Sequence, residues 1–256
     1  MLSLFAGKQK ELVRKIIKEA DSLLEKISSG NSYDREAVSK RAVEYLKNSN
    51  WQVRNIAVKM LGVAGEKKHL SLLVEKLLDD NEVGFVKRNS AIAIRQIGVA
   101  QDDVKKALIN AVGDKYWETR AESIKTLAKL YKNDEEAFYV ISKSLIPFDS
   151  DKDNSNSFLS YNKKIKEKNF EVRAAIAQSM EYFLDLEASL GVLGILLDDE
   201  SWVVRAAALN SLKKMDKIPE ILKKKVEKLD LTCESFKPIF PLKEIFSEII
   251  KKSKES

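Results

Sequence analysis

The chain has 256 residues, 44% hydrophobic and 33% charged, with only four Pro and nine Gly, and its 45 basic and 39 acidic residues leave a net charge of +6. The single cysteine, Cys233, excludes an intramolecular disulfide framework, and the single histidine, His69, excludes the ordinary His/Cys zinc sites, so that metal catalysis would need an all-carboxylate site. A length of this order admits one or two domains, or one array of units that each pack only on their neighbours. Leu, Lys, Glu, Ala and Ile are abundant and alternating strand-like runs are missing, which points to helices.

From the N-terminus, "MLSLFAG" is too short for the apolar core of a signal peptide, and no apolar run approaches the ~18 residues of a membrane span. A cytoplasmic protein with no membrane span is expected. "KELVRKIIKEADSLLEKI" places apolar residues at 12, 13, 16, 17, 20, 23, 24 and 27, one stripe suited to a capping helix within residues 1–30. Five amphipathic stretches follow at intervals: "REAVSKRAVEYLK", "KHLSLLVEKLLD", "DDVKKALINAVGD", "DEEAFYVISKSL" and "LEASLGVLGILLD". Each leads, through a short acidic or Asn-rich turn, into a second helical stretch.

Those second stretches are copies of one another. Anchored on a basic residue, they read "NWQVRNIAVKMLG" at Arg54, "GFVKRNSAIAIRQIG" at Lys87, "YWETRAESIKTLAKL" at Arg120, "NFEVRAAIAQSMEYF" at Arg173 and "WVVRAAALNSL" at Arg205, with spacings of 33, 33, 53 and 32 residues. Seven positions after the anchor all five are apolar (Leu61, Ile94, Leu127, Met180, Leu212). The column four after it (Val58, Ala91, Ile124, Ala177, Leu209) lies on the same helical face, and the column three after it is mostly small (Ala57, Ser90, Ser123, Ile176, Ala208). One helix pair of this size cannot bury its apolar face alone, so the units must stack. Gly65 and Gly98 are placed to end their helices.

The acidic turn, the V-R pair, the small residue three later and the L-G pair seven and eight later, best preserved in "VRNIAVKMLG", resemble the HEAT-repeat family, in particular the HEAT-like repeats of the phycobilin lyase type. The resemblance spans roughly residues 35 to 215, with Lys87 in place of the Arg, Ile176 in place of a small residue, and the glycine of L-G kept only at Gly62. It implies a right-handed α-solenoid of stacked antiparallel helix pairs, about five HEAT-like repeats plus terminal caps: a capping helix in 1–30, the array in 31–216, and capping helices with a basic tail in 217–256. It also implies that Arg54, Arg120, Arg173 and Arg205 form a buried ladder with turn acids, here Asp80, Asp114, Glu167 and Asp199.

Aromatic residues stand three before the anchor at Trp51, Trp117, Phe170 and Trp202, with Phe85 one place later in its repeat. Asn50, Asn169 and Ser201 directly precede three of them and have side chains able to cap the helix. Periodic aromatics read as anchors that pin each turn onto its own or the next repeat. The competing reading, in which Trp51, Trp117 and Trp202 stack on nucleic-acid bases, borrows from HEAT-like alkylpurine DNA glycosylases, but dedicated catalytic residues normally break the period.

Second helices usually line the concave side of such arrays, which makes Lys59, Arg88, Arg95, Lys125, Lys129, Tyr182 and Lys214 candidates for partner binding in a polar, mildly basic groove. The surplus length between Arg120 and Arg173 falls in residues 147–168, a Ser/Asn/Asp/Lys-rich loop whose only aromatics, Phe158 and Tyr161, are further candidates. At the C-terminus, Pro241 stands near a helix start, with Ile245, Phe246, Ile249 and Ile250 on one side.

No constellation breaks the repeat period, so the expectation is a non-catalytic scaffold that binds a partner protein, with no cofactor and no metal. A nucleic-acid binder using the basic groove is the alternative. Enzymes known on this fold come third: deoxyhypusine hydroxylase-like chemistry needs repeated His-Glu pairs, which a lone His69 excludes, while the residue inventory leaves a bilin lyase role open.

Overall fold

In the computed structural model the described residues are 2–146, 165–229 and 242–254, and every regular element among them is helical. A first helix, α1 (Leu2–Ser28), precedes ten helices that alternate as first and second helices of the repeats. Within the first of two compact units these are α2 (Arg35–Tyr45) with α3 (Trp51–Ala64) and α4 (Leu70–Leu78) with α5 (Gly84–Ile97), followed by α6 (Asp102–Ala111); within the second, α7 (Trp117–Leu130) is followed by α8 (Glu135–Leu145) with α9 (Phe170–Ser179) and α10 (Glu187–Leu197) with α11 (Trp202–Leu212). Two helices follow, α12 (Glu220–Glu227) and α13 (Leu242–Lys254). Phe158, Tyr161, Pro241 and the loop as far as residue 164 lie outside the described residues.

Helix boundaries follow local chemistry. The Asp34 and Asp134 carboxylates accept the Ala37 and Ala137 amides at 3.0 and 2.8 Å, and the Asn50 and Asn169 side chains cap α3 and α9 through the amides of Gln52 and Glu171. Ser201 makes no such bond, so α11 starts without the side-chain cap its sequence suggests. α3 and α5 end on Gly65 and Gly98 with φ of 69° and 74°, left-handed conformations that glycine adopts without a Cβ penalty.

The chain divides into two compact units, Met1–Ala111 and Val112–Ser256. In the first, α3 packs between α1 and α5, and α4 packs on α5 and α6. In the second, α9 packs between α7 and α11, and α10 lies against α9, α11 and α12. The terminal helices extend the same pattern: α1 sits on α3 as α3 sits on α5, while α12 stacks on α10 and α13 on α11, as a further helix pair would.

The repeat columns form the core. Val53, Val86, Thr119, Val172 and Val204, one before each anchor, are fully buried, and so are all residues three, four and seven after it. Removing a large apolar side chain such as Leu61 or Leu127 from water contributes about 1.5–3 kcal/mol, and neighbouring helices share each contribution. The small residues let helices approach closely. A Cβ on Gly62 of α3 would stand 2.9 Å from the Cα of Ala93 on α5.

Candidate functional site

The turns before the second helices are built around arginine. Arg54 donates from Nη1 to the carbonyls of Asn48 and Ser49 in its own turn, at 2.9 and 2.8 Å, and forks through Nε and Nη2 onto Glu82 of the next turn, both at 2.7 Å. Arg120 repeats this with Asp114 and Lys115 carbonyls and with Glu167 at 3.0 and 2.9 Å. Arg173 repeats it with Glu167 and Lys168 carbonyls and with Asp199 at 2.7 and 3.0 Å. Arg205 grips its own turn through Asp199 and Glu200 carbonyls; the segment that leads into α13, 230–241, lies outside the described residues.

Each carboxylate also serves its own turn. Glu167 and Asp199 accept the amides of Asn169 and Ser201 at 2.9 and 2.8 Å while holding the arginine of the preceding repeat. The Asp199 side chain is fully buried and that of Arg173 is 4% exposed. The bond to Asp199 holds the Arg173 guanidinium above its ordinary pKa, against the opposing effect of burial, and Glu82 does the same for Arg54. Arg54 is thus paired with Glu82 and not with Asp80. Counted from the anchor, the second repeat is displaced by one residue at this turn, its aromatic as well as its acid standing one place late.

The aromatics are less enclosed than anchors would be. Trp51 and Phe85 are 37% and 51% exposed and stack on each other across repeats, with ring centroids 5.7 Å apart and planes at 17°. Phe170 is 43% exposed, and Trp117 and Trp202 are half-buried. Lys87, at the anchor position of the second repeat, is buried.

Residues five and nine after each anchor reach solvent, while the columns three, four and seven after it are sealed. In the first unit, Lys59 is exposed and Val63 half-buried on α3, and α5 presents half-buried Arg88, Ile92 and Arg95 with exposed Gln96. A concavity of about 450 Å³ opens among α1, α3 and α5, with Leu24, Val63 and Ile92 as its apolar surface and Lys59, Asn89 and Gln96 as polar groups. Asp21 and Glu25 of α1 complete it with negative charge. In the second unit, Lys129, Gln178 and Lys214 are exposed and Lys125 and Tyr182 half-buried. Lys125 pairs with Glu122 at 2.9 Å, and the Lys132 ammonium lies 5.6 Å from the Tyr182 ring centre.

Lys59, Arg88 and Arg95 therefore belong to one unit, and Lys125, Lys129, Tyr182 and Lys214 to the other. The residues that α1 contributes were missed by sequence reasoning because α1 lies outside the repeat register. The available signal was Asp21 and Glu25 at i, i+4, which share one face of a predicted amphipathic helix. Among the described residues no cluster of His, Cys, Asp and Glu is arranged to hold a metal ion, and no helix is long and apolar enough to cross a membrane.

No protein-family model and no curated protein matches this chain. Solved structures do. The archaeal HEAT-like repeats protein from Thermococcus onnurineus NA1 is similar at 17% identity, covering 95% of this chain and 97% of that one, with a TM-score of 0.51. An engineered protein is similar at 17% identity, covering 86% of this chain and 97% of its own, with a TM-score of 0.50. The complex of CpcE and CpcF of phycocyanin lyase from Nostoc sp. PCC7120 is similar at 14% identity, covering 86% of this chain and 96% of that one, with a TM-score of 0.42. The first two likenesses are of fold: this chain is an all-α protein of stacked HEAT-like helix pairs.

Proposed function

With the HEAT-like repeat fold as premise, we propose that this protein is a cytoplasmic, non-catalytic scaffold that binds a segment of a partner protein along the exposed positions of its second helices. One observation carries the reading. On each second helix the columns three, four and seven after the anchor are fully buried, whereas those five and nine after it reach solvent. The helices thus hold their shape with one face and offer the other. In the first unit that face forms a concavity whose apolar surface is ringed by Lys59, Asn89, Gln96, Asp21 and Glu25, a mixture suited to the side chains and backbone of a helical or extended segment.

The test uses the tagged full chain as bait in nuclease-treated extract of its native cell, beside Lys59→Glu and Lys129→Glu variants. A stoichiometric protein held by the wild type and lost from one variant, with both variants melting like the wild type, is the expected result. Equal retention by both variants overturns the assignment of these faces. Capture of nucleic acid alone, falling steeply with salt, replaces a protein partner with a nucleic acid.

A further inference from the structure

Helix α1 buries little of its apolar stripe. Ala20 is the one buried residue among its described side chains; Val13, Ile16, Ile17 and Leu24 are half-buried, and Leu12 is 58% exposed. The N-terminal part of this stripe borders an open cleft of about 1170 Å³ whose far wall is the turn Asn48, Ser49 and Asn50 with Gln52 at the start of α3. That wall carries no charge. The α1 wall carries several, in a definite order: Lys10, Arg14 and Lys18 toward the N-terminus, then Asp21 and Glu25.

Residues 10, 14, 17, 21 and 25 follow steps of three and four and so share one face. From Lys10 to Glu25 they span about 22 Å at 1.5 Å per residue. An occupant that matches this wall is a helix of about four turns, with apolar residues against Val13 and Ile17, acid opposite Lys10 and Arg14, and base opposite Asp21 and Glu25. α1 itself, turned end for end, has that pattern. With the axis of rotation between Ile17 and Lys18, Lys10 faces Glu25 and Arg14 faces Asp21, and the symmetry makes each pairing twice. A parallel partner would set like charges side by side.

We propose that α1 is a self-association surface, through which two copies of this chain pair in an antiparallel, twofold-symmetric helix contact. Such an interface is isologous, each copy offering the patch it receives. It shares Asp21 and Glu25 with the partner-binding concavity of the first unit, so its test reads self-association and not partner capture.

The charge order supplies a test that a merely structural role of α1 does not pass. Sedimentation equilibrium of the full chain at low salt is expected to show a monomer–dimer equilibrium that weakens as salt rises. Lys10→Glu with Arg14→Glu makes positions 10, 14, 21 and 25 all acidic, Asp21→Lys with Glu25→Lys makes the same four all basic, and each double variant is expected to be monomeric with wild-type helicity. Mixing the two restores a dimer, since every opposed pair is again of opposite sign, and the fourfold variant dimerises alone because the reversed pattern is still self-complementary. A wild type that stays monomeric at about 100 μM, roughly a hundredfold above a micromolar Kd, overturns the proposal. So do double variants that dimerise as the wild type does. A monomer that captures a foreign protein through Leu12 and Ile17 also overturns it, assigning the cleft to that protein.

Discussion

Replacing Asp199 by Asn tests whether the arginine ladder holds the second unit together. The two side chains are nearly the same shape, so the change removes charge and one acceptor without opening a cavity. Asp199 Oδ2 accepts Arg173 Nε at 2.7 Å, and Oδ1 accepts both Arg173 Nη2 at 3.0 Å and the Ser201 amide at 2.8 Å. An asparagine keeps one oxygen for the second pair of donors and turns its NH2 toward Nε, donor against donor. The guanidinium, 4% exposed, keeps the Glu167 and Lys168 carbonyls through Nη1, but the one carboxylate left to it is Glu200 at 3.2 Å, whose side chain is 88% exposed. Breaking a buried pair by removing one partner costs about 3–5 kcal/mol, while an exposed carboxylate returns less than about 1 kcal/mol. At about 2–4 °C per kcal/mol for a chain of this size, the melting point should fall by roughly 4–20 °C. Because repeats couple mainly to their neighbours, hydrogen exchange should accelerate first in α9 and α11. Glu200→Gln is the control, expected within about 0.5 kcal/mol of wild type. Urea unfolding that gives Asp199→Asn a loss below about 1 kcal/mol, or an equal loss for Glu200→Gln, refutes the reasoning.

Two glycines in helix interiors should respond oppositely to alanine. At Gly62 the new Cβ would meet Ala93 Cα at 2.9 Å and Gln96 Oε1 at 2.2 Å, and helix backbone cannot yield as a glutamine tip can, so Gly62→Ala should destabilise by about 1–3 kcal/mol in chemical unfolding. At Gly194 the nearest atom is the flexible Leu222 Cδ2 at 3.4 Å, so Gly194→Ala should keep most of the alanine helix preference and stabilise by up to about 1 kcal/mol. The Ser39 hydroxyl first, then Lys68 and His69, hold the Glu66 carboxyl below the usual carboxylate range. A carboxylate depressed in the folded state adds stability above its unfolded pKa and loses it as pH falls through the folded value. A carboxyl NMR titration should therefore place Glu66 below ordinary glutamates, and Ser39→Ala should move it up.

The fold was legible because burial repeats. Five copies of one line made the columns around Arg54, Lys87, Arg120, Arg173 and Arg205 readable as a packing face, and the residues one before and three, four and seven after these anchors have no exposure. The partner of Arg54 was not legible, since the acid of the second turn is Glu82, five before its anchor where Asp114, Glu167 and Asp199 stand six before theirs, and two residues beyond the expected Asp80. The aromatics were legible as periodic but not in their environment. Phe85 takes the second position of α5, behind Gly84, and the stack it makes with Trp51 lies partly in solvent. For the candidate faces, the exposed columns came directly from the repeat, whereas Asp21, Leu24 and Glu25 entered only with the structure. α1 carries no anchor line from which to read what it packs on.

The division of each second helix into a sealed face and an open one also separates the two kinds of experiment this protein invites. Changes at the anchor or at the positions one before and three, four and seven after it alter stability whatever the protein binds, so loss of a partner there says nothing about contact. Changes at Lys59, Gln96, Lys129 or Lys214 remove side chains that reach solvent, and surface substitutions of this kind usually shift stability by no more than about 0.5 kcal/mol. A binding defect at those positions with unchanged melting is therefore a statement about the surface. α1 joins the two regimes, because Ala20 packs the helix onto the array while Lys10, Arg14, Asp21 and Glu25 face outward. Charge reversal there leaves Ala20 and the apolar stripe intact, which is why complementation between oppositely reversed chains isolates the contact from the fold.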